Sequence, residues 1–293
     1  MKIFYVIPVY NDEESLLKLI EKINSINSSY DNNFVIINDC STYQFNKLAE
    51  KNKITEILLK RNQGSQKAII IGLNYIFDKK IDFDYLIVMD SDGEDKPEDI
   101  KLLIEETKNQ NNNFIIFASR RKRLETFIFK FFYFMYKMTF KIFTGKKLNF
   151  GNYSCIPKKI LEDVINISFI DFHYSAAIVK SKQSYKSIFC DKGNRYAGES
   201  NMSFYNLFIH GLKSLSIFYK EVFFRILILL FIINCVFLLN FKLVMIMKFN
   251  LILLIFVSIF FLYLYYLIKI RFSKDDLVSI SNYRNLIKDI KSL

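Results

Sequence analysis

The sequence is poor in proline, glycine, cysteine and histidine, and it contains no tryptophan. Its 293 residues include 3 prolines, 8 glycines, 4 cysteines and 2 histidines. The cysteines show no paired spacing, which argues against a disulfide framework and indicates reduced thiols in the cytosol or in a membrane; they are Cys40, Cys155, Cys190 and Cys235. Because turn-forming residues are scarce, the few that occur are informative about where the chain bends.

Signatures of several other protein classes are also missing. The amino terminus, residues 1–8, has too short an apolar run for a signal peptide and predicts a first strand. No basic-aromatic nucleic-acid module is present, so we expect no nucleic-acid partner. The stretch 61–67 lacks the G-x-x-x-x-G-K-[ST] spacing of a phosphate-binding loop, which disfavours a nucleoside-triphosphate hydrolase.

The sequence is instead rich in apolar residues and in positive charge. Hydrophobic residues make up 52% of the chain, the mean hydropathy is +0.16 and the formal net charge is +12. Such an apolar composition is high for a soluble protein and indicates membrane segments. Together with the excess of Lys and Arg, it points to an anionic membrane surface or to phosphorylated ligands as partners.

The first 118 residues alternate between strand and helix patterns. Apolar runs predict strands at 3–7, 34–37, 54–59, 85–89 and 114–118, and helical periodicity predicts helices at 13–26, 43–51, 66–77 and 97–109. Alternation of this kind predicts an α/β fold with a mostly parallel, doubly wound sheet.

The most informative stretch follows the fourth predicted strand. The apolar run 85–89 gives way to Asp90-Ser91-Asp92 and then to Pro97, where a helix can begin. Ligands of open α/β sheets bind beyond the carboxyl ends of the strands, so these carboxylates are expected at a ligand site. Two carboxylates one residue apart can converge on Mg²⁺ or Mn²⁺, which keeps positions open for diphosphate oxygens. The alternative is an acidic, solvated turn that caps a helix.

Polar residues also follow the first three predicted strands. Tyr10 and Asp12 come after the first strand, and Asp39 follows the second, at the same edge as the Asp-x-Asp pair. Asp39 is placed to accept a hydrogen bond from a base or a ribose, although the turn that contains it also fits an ordinary helix N-cap. Gly64, after the third strand, lets the backbone approach a ligand at a helix N-terminus.

Four motifs in this order and spacing resemble a family-2 glycosyltransferase with the GT-A fold: Ile7-Pro-Val-Tyr-Asn-Asp, Asn38-Asp-Cys-Ser-Thr, Arg61-Asn-Gln-Gly and Met89-Asp-Ser-Asp-Gly-Glu-Asp-Lys-Pro-Glu. The resemblance implies an inverting transfer from a nucleotide-sugar donor. It implies that Asp92, with Asp90, holds Mg²⁺ or Mn²⁺ and is catalytic. The residues that it places around the nucleotide sugar are Pro8, Tyr10, Asp12, Ile37, Asp39, Asp90, Ser91, Asp92 and Arg120.

A later motif resembles one branch of this family. Arg195-Tyr-Ala-Gly-Glu-Ser200-Asn201 is similar to the Arg-x-x-Gly-Glu-Ser-Lys loop of polyprenyl-phosphate glycosyltransferases, the branch that contains dolichol-phosphate mannosyltransferase. The resemblance implies that Arg195 is catalytic and that Arg195, Ser200 and Asn201 bind the acceptor phosphate. Asn201 stands where the branch usually has Lys, so one phosphate-binding cation is missing. The alternative is a glycine-containing turn ahead of a helix capped by Ser203.

Apolar segments dominate the remainder of the chain. Lys130, Lys137 and Lys141 share one helical face in a Phe-rich stretch, which predicts an interfacial amphipathic helix at about 124–143, and a second is predicted at about 203–219. Segments 222–241 and 251–268 predict a transmembrane hairpin, with a buried helical hairpin as the alternative. The flanking Lys and Arg place the catalytic side in the cytoplasm. The predicted domains are therefore 1–220 (catalytic), 221–270 (membrane) and 271–293 (cytoplasmic tail).

These observations predict a multi-pass enzyme of the inner (cytoplasmic) membrane that glycosylates a polyprenyl phosphate such as undecaprenyl phosphate, for cell-surface glycan synthesis. A phosphate acceptor is already ionised near neutral pH and needs no strong general base. One alternative is transfer to a sugar hydroxyl, with Asp171 or the pair Glu94-Asp95 as the base. Another is a non-catalytic membrane scaffold, against which the intact Asp39, Asp92 and other site residues speak. A homo-oligomer formed through the hairpin stays open.

Overall fold

The computed structural model describes residues 1–42, 45, 53–120, 127–198, 204–240, 250, 252–263, 266 and 278–292. The chain divides into two compact units. The first unit comprises residues 1–125, 149–201 and 277–293, and the second comprises residues 126–148 and 202–276. The first contains the sheet and the second contains long helices. The predicted domain boundaries stay a prediction.

The described strands of the first unit form one eight-stranded sheet. They are β1 (Lys2–Val9), β2 (Asp31–Asn38), β3 (Ile54–Leu59), β4 (Tyr85–Val88), β5 (Ile115–Arg120), β6 (Phe150–Pro157), β7 (Tyr185–Cys190) and β8 (Ile287–Ser292). Their order is β7-β5-β6-β4-β1-β2-β3-β8. The pairs β1–β2, β1–β4, β2–β3 and β5–β7 are parallel, whereas β6 and β8 run antiparallel to their neighbours.

Helices cover the faces of this sheet because their apolar positions recur with helical spacing. The helices of the first unit are α1 (Glu13–Ile26), α2 (Ser65–Asp78), α3 (Ile100–Asn109), α5 (Leu161–Ile165) and α6 (Tyr174–Lys180), and a 3₁₀ turn at Pro97–Asp99 precedes α3. In α1 the buried positions Leu16, Leu19, Ile20 and Ile23 form one stripe. Close packing of α2 depends on Gly72, where an added Cβ would lie 2.7 Å from Ile37 Cδ1.

The predicted alternation of strands and helices is confirmed for the described residues. The five predicted strands are present, and α1, α2 and α3 occupy the predicted helical stretches. The helix expected at 43–51 lies outside the described residues, apart from Phe45. Strands β6 and β8 were not predicted, and both pair antiparallel, so the sheet is mixed rather than wholly parallel.

The second unit is helical. It contains α4 (Phe127–Thr144), α7 (Phe204–Ile217) and α8 (Tyr219–Asn240), and residues 252–263 are also helical. Tyr136 and Ser214 share a hydrogen bond of 2.7 Å between their hydroxyl oxygens, and Phe140 packs edge-on against Phe218 with ring centroids 5.4 Å apart. Many large apolar side chains of this unit are nevertheless exposed, among them Phe134, Met138, Phe224, Ile228, Phe231, Leu254, Phe256 and Leu262.

Within the described part of the chain, no helix combines the length and the apolar character needed to cross a membrane. The predicted spans 222–241 and 251–268 each include residues outside that part. The predicted transmembrane hairpin is therefore not shown.

Candidate active site

Three parallel strands end at one edge of the sheet and bring the predicted site residues there. Strands β2, β1 and β4 are neighbours, and they lead into Asp39, Asp12 and Asp90 respectively. The turns after β1 and β2 are joined by the Asn11 side chain, whose Oδ1 accepts a hydrogen bond of 2.8 Å from the backbone N–H of Thr42. Asn11 adopts a φ of 52°, a left-handed conformation that Asn tolerates better than most residues.

Asp39 is a buried carboxylate held by a backbone loop. Its Oδ1 accepts a hydrogen bond of 2.6 Å from Gln63 N, and its Oδ2 accepts one of 2.8 Å from Gly64 N. The residue is only 3% exposed. Burial raises the pKa of Asp39 to about 6, although the two backbone hydrogen bonds act in the opposite direction. The loop after β3 thus fixes the orientation of this carboxylate.

Arg195 bridges two of the predicted site carboxylates. Its Nη1 lies 2.8 Å from Asp92 Oδ2, and its Nη2 lies 3.1 Å from Asp12 Oδ2. The Nε of Arg195 is buried and has no hydrogen-bond partner among the described residues. Burying an N–H donor without a partner costs free energy, and a hydrogen bond to an anionic ligand would recover it.

A cluster of acidic and basic side chains surrounds the end of β4. Arg120 Nη1 lies 3.2 Å from Glu94 Oε2 and Arg120 Nη2 lies 3.7 Å from Asp95 Oδ1, while Lys192 Nζ lies 3.0 Å from Glu94 Oε2. Asp95 Oδ2 in turn accepts a hydrogen bond of 3.0 Å from the backbone N–H of Asp90. Burial, followed by the charges of Asp95 and Asp92, raises the pKa of Asp90.

The turn 92–94 is covered by the stretch that carries Arg195. Tyr196 N donates a hydrogen bond of 2.9 Å to Asp92 O, and Gly193 N donates one of 2.8 Å to Glu94 O. Gly93 has a φ of +86°, and a Cβ at this position would lie 2.5 Å from the Tyr196 ring. Glycine is therefore required here both for the backbone conformation and for the close approach of the aromatic ring.

Asn152 and Gln66 lie at the site but were not among the predicted site residues. Asn152, on β6, hydrogen-bonds to the Asp90 carboxylate and so favours its ionised form. Its Oδ1 accepts a hydrogen bond of 3.2 Å from Gln66 Nε2, and Gln66 Oε1 accepts one of 2.7 Å from Tyr174 N. Gln66 could have been found from its position two residues after Gly64 in the first turn of α2, and Asn152 belongs to the stretch 151–157, which the sequence predicts to support the floor of the site.

The remaining predicted site residues lie in different environments. Tyr10 is 43% exposed, whereas Ser91 is 8% exposed and Ile37 is fully buried against α2. Pro8 is buried within β1. Ser200 and Asn201, expected at the acceptor phosphate, lie outside the described residues.

Asp171, the candidate general base outside the acidic cluster, and His173, two residues later, both make structural contacts. Asp171 is 3% exposed and its Oδ2 accepts a hydrogen bond of 3.3 Å from Val278 N. His173 caps α6, because its Nδ1 accepts a hydrogen bond of 3.3 Å from Ala176 N. Its capping contact matches the structural role that is usual for a lone His.

The side chains at the end of β4 determine which metal ion the site could hold. Among the described residues, no three His, Cys, Asp or Glu side chains are arranged to hold a metal ion by themselves. The donors that are present, Asp90 and Asp92, are hard oxygen ligands suited to Mg²⁺ or Mn²⁺. Burial is the largest cause of the raised pKa of both carboxyl groups, and a cation bound between them would favour their ionised forms.

Comparison with known proteins identifies the family of the chain. The sequence profile described as Glycosyl transferase family 2 matches residues 5–165. The match covers β1 to α5 and includes every residue of the Asp39 and Asp92 motifs. The chain belongs to glycosyl transferase family 2, a family of sugar-transferring enzymes.

One curated relative is the undecaprenyl-phosphate 4-deoxy-4-formamido-L-arabinose transferase of Proteus mirabilis (strain HI4320), which is 27% identical over 175 residues. The match covers 56% of this chain and 50% of that protein, so the chain spans about half the length of this relative.

Two solved structures share the fold. Mannosyl-3-phosphoglycerate synthase from Rubrobacter xylanophilus superposes with a TM-score of 0.53 at 12% identity, over 77% of this chain and 74% of that one. Glucosyl-3-phosphoglycerate synthase from Mycobacterium tuberculosis, solved with Mn²⁺, UDP-glucose and phosphoglyceric acid, superposes with a TM-score of 0.50 at 10% identity, over 75% and 79%. The mostly parallel α/β sheet of this chain is therefore of the GT-A type.

Proposed function

We propose that this protein is a membrane-associated, inverting glycosyltransferase that moves a sugar from a nucleotide-sugar donor to a polyprenyl phosphate. The observation that carries the proposal is that Asp39, at the carboxyl end of β2, and Asp92 with its bound Arg195, at the carboxyl end of β4, lie at the same edge of the sheet. These groups can hold a nucleoside, a cation and a phosphate respectively. The relative that acts on undecaprenyl phosphate supports this choice of acceptor.

Asp39 is the proposed contact for the donor nucleoside. Both carboxylate oxygens accept a backbone N–H, which holds the group in one orientation and leaves lone pairs for a base or ribose donor. Tyr10, which is 43% exposed at the end of β1, is available to pack against the nucleoside. Glucosyl-3-phosphoglycerate synthase, which has a similar fold, was solved with UDP-glucose, and this supports a nucleotide sugar as the donor.

Asp92, with Asp90, is the proposed site for Mg²⁺ or Mn²⁺. Five carboxylates meet three cations in this cluster: Asp12, Asp90, Asp92, Glu94 and Asp95 against Arg120, Lys192 and Arg195. A divalent cation would stabilise the ionised forms of Asp90 and Asp92, whose pKa values are raised by burial. When bound, it would stabilise the charge that develops on the leaving diphosphate. Glucosyl-3-phosphoglycerate synthase was solved with Mn²⁺, and this supports the assignment of a divalent cation.

Arg195 is the proposed contact for a phosphate group. Its Nε is buried without a partner among the described residues, while its two terminal nitrogens already hold Asp12 and Asp92. The two ion pairs keep the guanidinium group in place. The Nε–H remains as a donor that a phosphate oxygen could accept. Arg120 forms ion pairs with Glu94 and Asp95. We propose that its guanidinium group also contacts a phosphate of the nucleotide sugar. A phosphate acceptor is a nucleophile at neutral pH, and so the reaction needs no general base from the chain.

Membrane association is proposed for the second unit. Phe224 is 64% exposed and Phe231 is 70% exposed on α8, and Phe256 is 68% exposed among residues 252–263. Water makes such a large apolar surface unfavourable, whereas lipid would cover it. We place the protein at the cytoplasmic membrane with its catalytic unit in the cytoplasm, as the distribution of Lys and Arg predicts. The helical hairpin and interfacial helices are part of this proposal.

The experiment is a transfer assay with detergent-solubilised protein, Mn²⁺ or Mg²⁺, undecaprenyl phosphate and a panel of radiolabelled UDP-, GDP- and dTDP-sugars. We expect label in the organic phase for one donor, and at least a hundredfold less for Asp92→Asn because a charge-stabilising group is lost. The matched control is Asp163→Asn, an exposed carboxylate on α5.

Two outcomes would count against parts of the proposal. Nucleotide binding without any lipid-extractable label would favour a sugar hydroxyl as the acceptor, and the pair Glu94-Asp95 would then supply the candidate general base, because Asp171 is bound to Val278. Complete release of the protein from membranes by alkaline carbonate would contradict the proposed membrane hairpin, since only peripheral proteins are removed in this way.

A further inference from the structure

The segment 278–292 returns to the sheet of the first unit after the long helices. Its strand β8 pairs antiparallel with β3, with Leu58 opposite Asp289 and Leu59 opposite Ile287. Just beyond the pairing, Lys60 N donates a hydrogen bond of 3.0 Å to Leu286 O. The segment is therefore bonded to the first residue of the loop that holds Asp39.

The loop 60–64 is held at both ends by identified contacts. Lys60, at the start of the loop, makes two contacts. Its backbone N–H donates to Leu286 O, and its carbonyl oxygen accepts a weak hydrogen bond of 3.8 Å from Cys40 Sγ. At its end, Gln63 N and Gly64 N bind the Asp39 carboxylate. Removing the contact with Leu286 would take away a backbone hydrogen bond that fixes the start of the loop, and the thiol hydrogen bond there is a weaker interaction.

A second route connects the same strand pair to Asp39. Glu56, the β3 residue opposite Lys291 of β8, is only 5% exposed. Its Oε1 accepts a hydrogen bond of 2.8 Å from Asn38 Nδ2, and Asn38 Oδ1 accepts one of 2.9 Å from Ser41 N. These bonds hold the turn 38–41, in which Asp39 lies. Both sides of the Asp39 carboxylate thus depend on β3, which β8 flanks.

The segment is itself fixed on α2. Tyr283, which is 1% exposed, donates a hydrogen bond of 2.5 Å to Asp78 Oδ2, and Arg284 pairs with the same carboxylate. Both residues belong to the 3₁₀ turn Tyr283–Leu286. This turn ends at the carbonyl group that binds Lys60, so the contact with Asp78 sets the position of that carbonyl.

We propose that the segment 278–292 is a positioning element of the donor site. By pairing with β3 and bonding Lys60, it holds the loop 60–64 in the conformation that fixes Asp39, and so raises the affinity for the donor nucleotide. The inference rests on the proposed role of Asp39 in nucleotide binding. It assigns a part in substrate binding to residues that follow the apolar helices in the chain and touch no proposed ligand.

The alternation of backbone groups along a strand provides a matched pair of test variants. Successive residues of β3 direct their backbone groups alternately toward β2 and toward β8. Because Lys60 faces β8, so do Leu58 and Glu56, and their partners Asp289 and Lys291 face β3 in return. The intervening Ile290 directs its N–H away from β3, where it lies 2.9 Å from Asp289 Oδ1. Proline is tolerated at an outward-facing position of an edge strand but breaks the ladder at an inward-facing one.

The test compares Asp289→Pro with Ile290→Pro in the full chain. Nucleotide affinity is measured by titration with UDP, GDP and dTDP in the presence of Mn²⁺, and backbone amide exchange is measured over residues 56–66. We expect Asp289→Pro to bind the preferred nucleotide about tenfold more weakly, since one or more loop residues must then be ordered on binding. The amides of Gln63 and Gly64 should exchange faster in this variant, while Ile290→Pro should match the unaltered protein in both measurements.

Unchanged affinity in Asp289→Pro, with fast exchange showing that the strand has been released, would overturn the inference. If that variant does not fold, Tyr283→Phe decides, because it removes only the hydroxyl bound to Asp78. About threefold weaker nucleotide binding would then support the positioning role, and unchanged affinity would refute it. A lack of nucleotide binding by the unaltered protein would instead overturn the proposed function, while faster exchange of Gln63 and Gly64 in the variant would still establish the positioning of the loop.

Discussion

Substitution of Asp39 by Asn should change the pH dependence of stability more than stability at neutral pH. Burial raises the pKa of Asp39 from 3.8 to about 6 in the folded protein. The folded state therefore holds this proton more tightly than the unfolded state does. The associated stability is fully present below pH 3.8, and it is lost as the pH rises through about 6. A shift of about two units corresponds to roughly 3 kcal/mol.

Asparagine removes this titration while keeping the size of the side chain. It also places an amide N–H₂ against one of the backbone donors, Gln63 N or Gly64 N, which costs about 1–3 kcal/mol. At pH 7 the two effects nearly cancel, so we expect the variant to lie within about 2 kcal/mol of the unaltered protein. At pH 4.5 most of the carboxyl group is protonated in the folded protein, which restores about 2 kcal/mol of this stability, so the unaltered protein should be the more stable by up to about 2 kcal/mol.

The assay is urea unfolding followed by circular dichroism at several pH values between 4.5 and 7.5, in one detergent. The matched control is Asp31→Asn, an exposed carboxylate whose pKa is lowered mainly by its hydrogen bond to Lys53. Its titration lies below the pH range of the assay, so this substitution should leave the pH slope unchanged. Parallel pH profiles for the unaltered protein and Asp39→Asn would refute the reasoning that burial raises the pKa of Asp39.

Three further predictions follow from contacts in the site. Asn152→Ala removes a hydrogen bond to the Asp90 carboxylate, and it should weaken Mn²⁺ binding, measured by electron paramagnetic resonance, about tenfold; Asn166→Ala, at an exposed helix end, should leave it unchanged. Because the pKa of Asp90 is raised by burial and then by Asp95 and Asp92, Mn²⁺ must displace a proton. Its affinity should therefore increase between pH 6 and pH 8, and a flat profile would contradict this assignment. Gly93→Ala combines a left-handed φ of +86° with a Cβ 2.5 Å from the Tyr196 ring, so it should lower the free energy of unfolding by about 1–3 kcal/mol. Gly151→Ala, where a Cβ would have no neighbour within 4 Å, should be close to neutral.

Antiparallel strands were the part of the fold that the sequence did not reveal. The stretch that forms β6, Phe150–Pro157, contains Gly and Asn and carries no clear alternation of apolar and polar residues. The six residues of β8, Ile-Lys-Asp-Ile-Lys-Ser, are too few and too polar to be recognised as a strand. Each becomes a strand because a neighbour already in the sheet offers unpaired backbone groups, which is a tertiary property.

Arg120 illustrates what motif spacing could not decide. The family resemblance placed it around the nucleotide sugar, and side-chain geometry gives it two carboxylate partners, Glu94 and Asp95. The spacing of residues along the chain does not specify which charges face one another across a turn. Electrostatic pairing at the site therefore had to be read from the folded structure.

The amino-acid sequence predicted the succession of strands and helices along the chain and the edge of the sheet at which the predicted site residues lie. It did so because apolar periodicity and the polar ends of strands are local properties. The folded structure was needed to show the pairing of Arg195 with Asp12 and Asp92, the support of Asp90 by Asn152 and Gln66, and the return of residues 278–292 to β3. These contacts join residues that are far apart in the chain. Their partners are fixed by sheet order and by the packing of loops, neither of which leaves a periodic signal in the sequence.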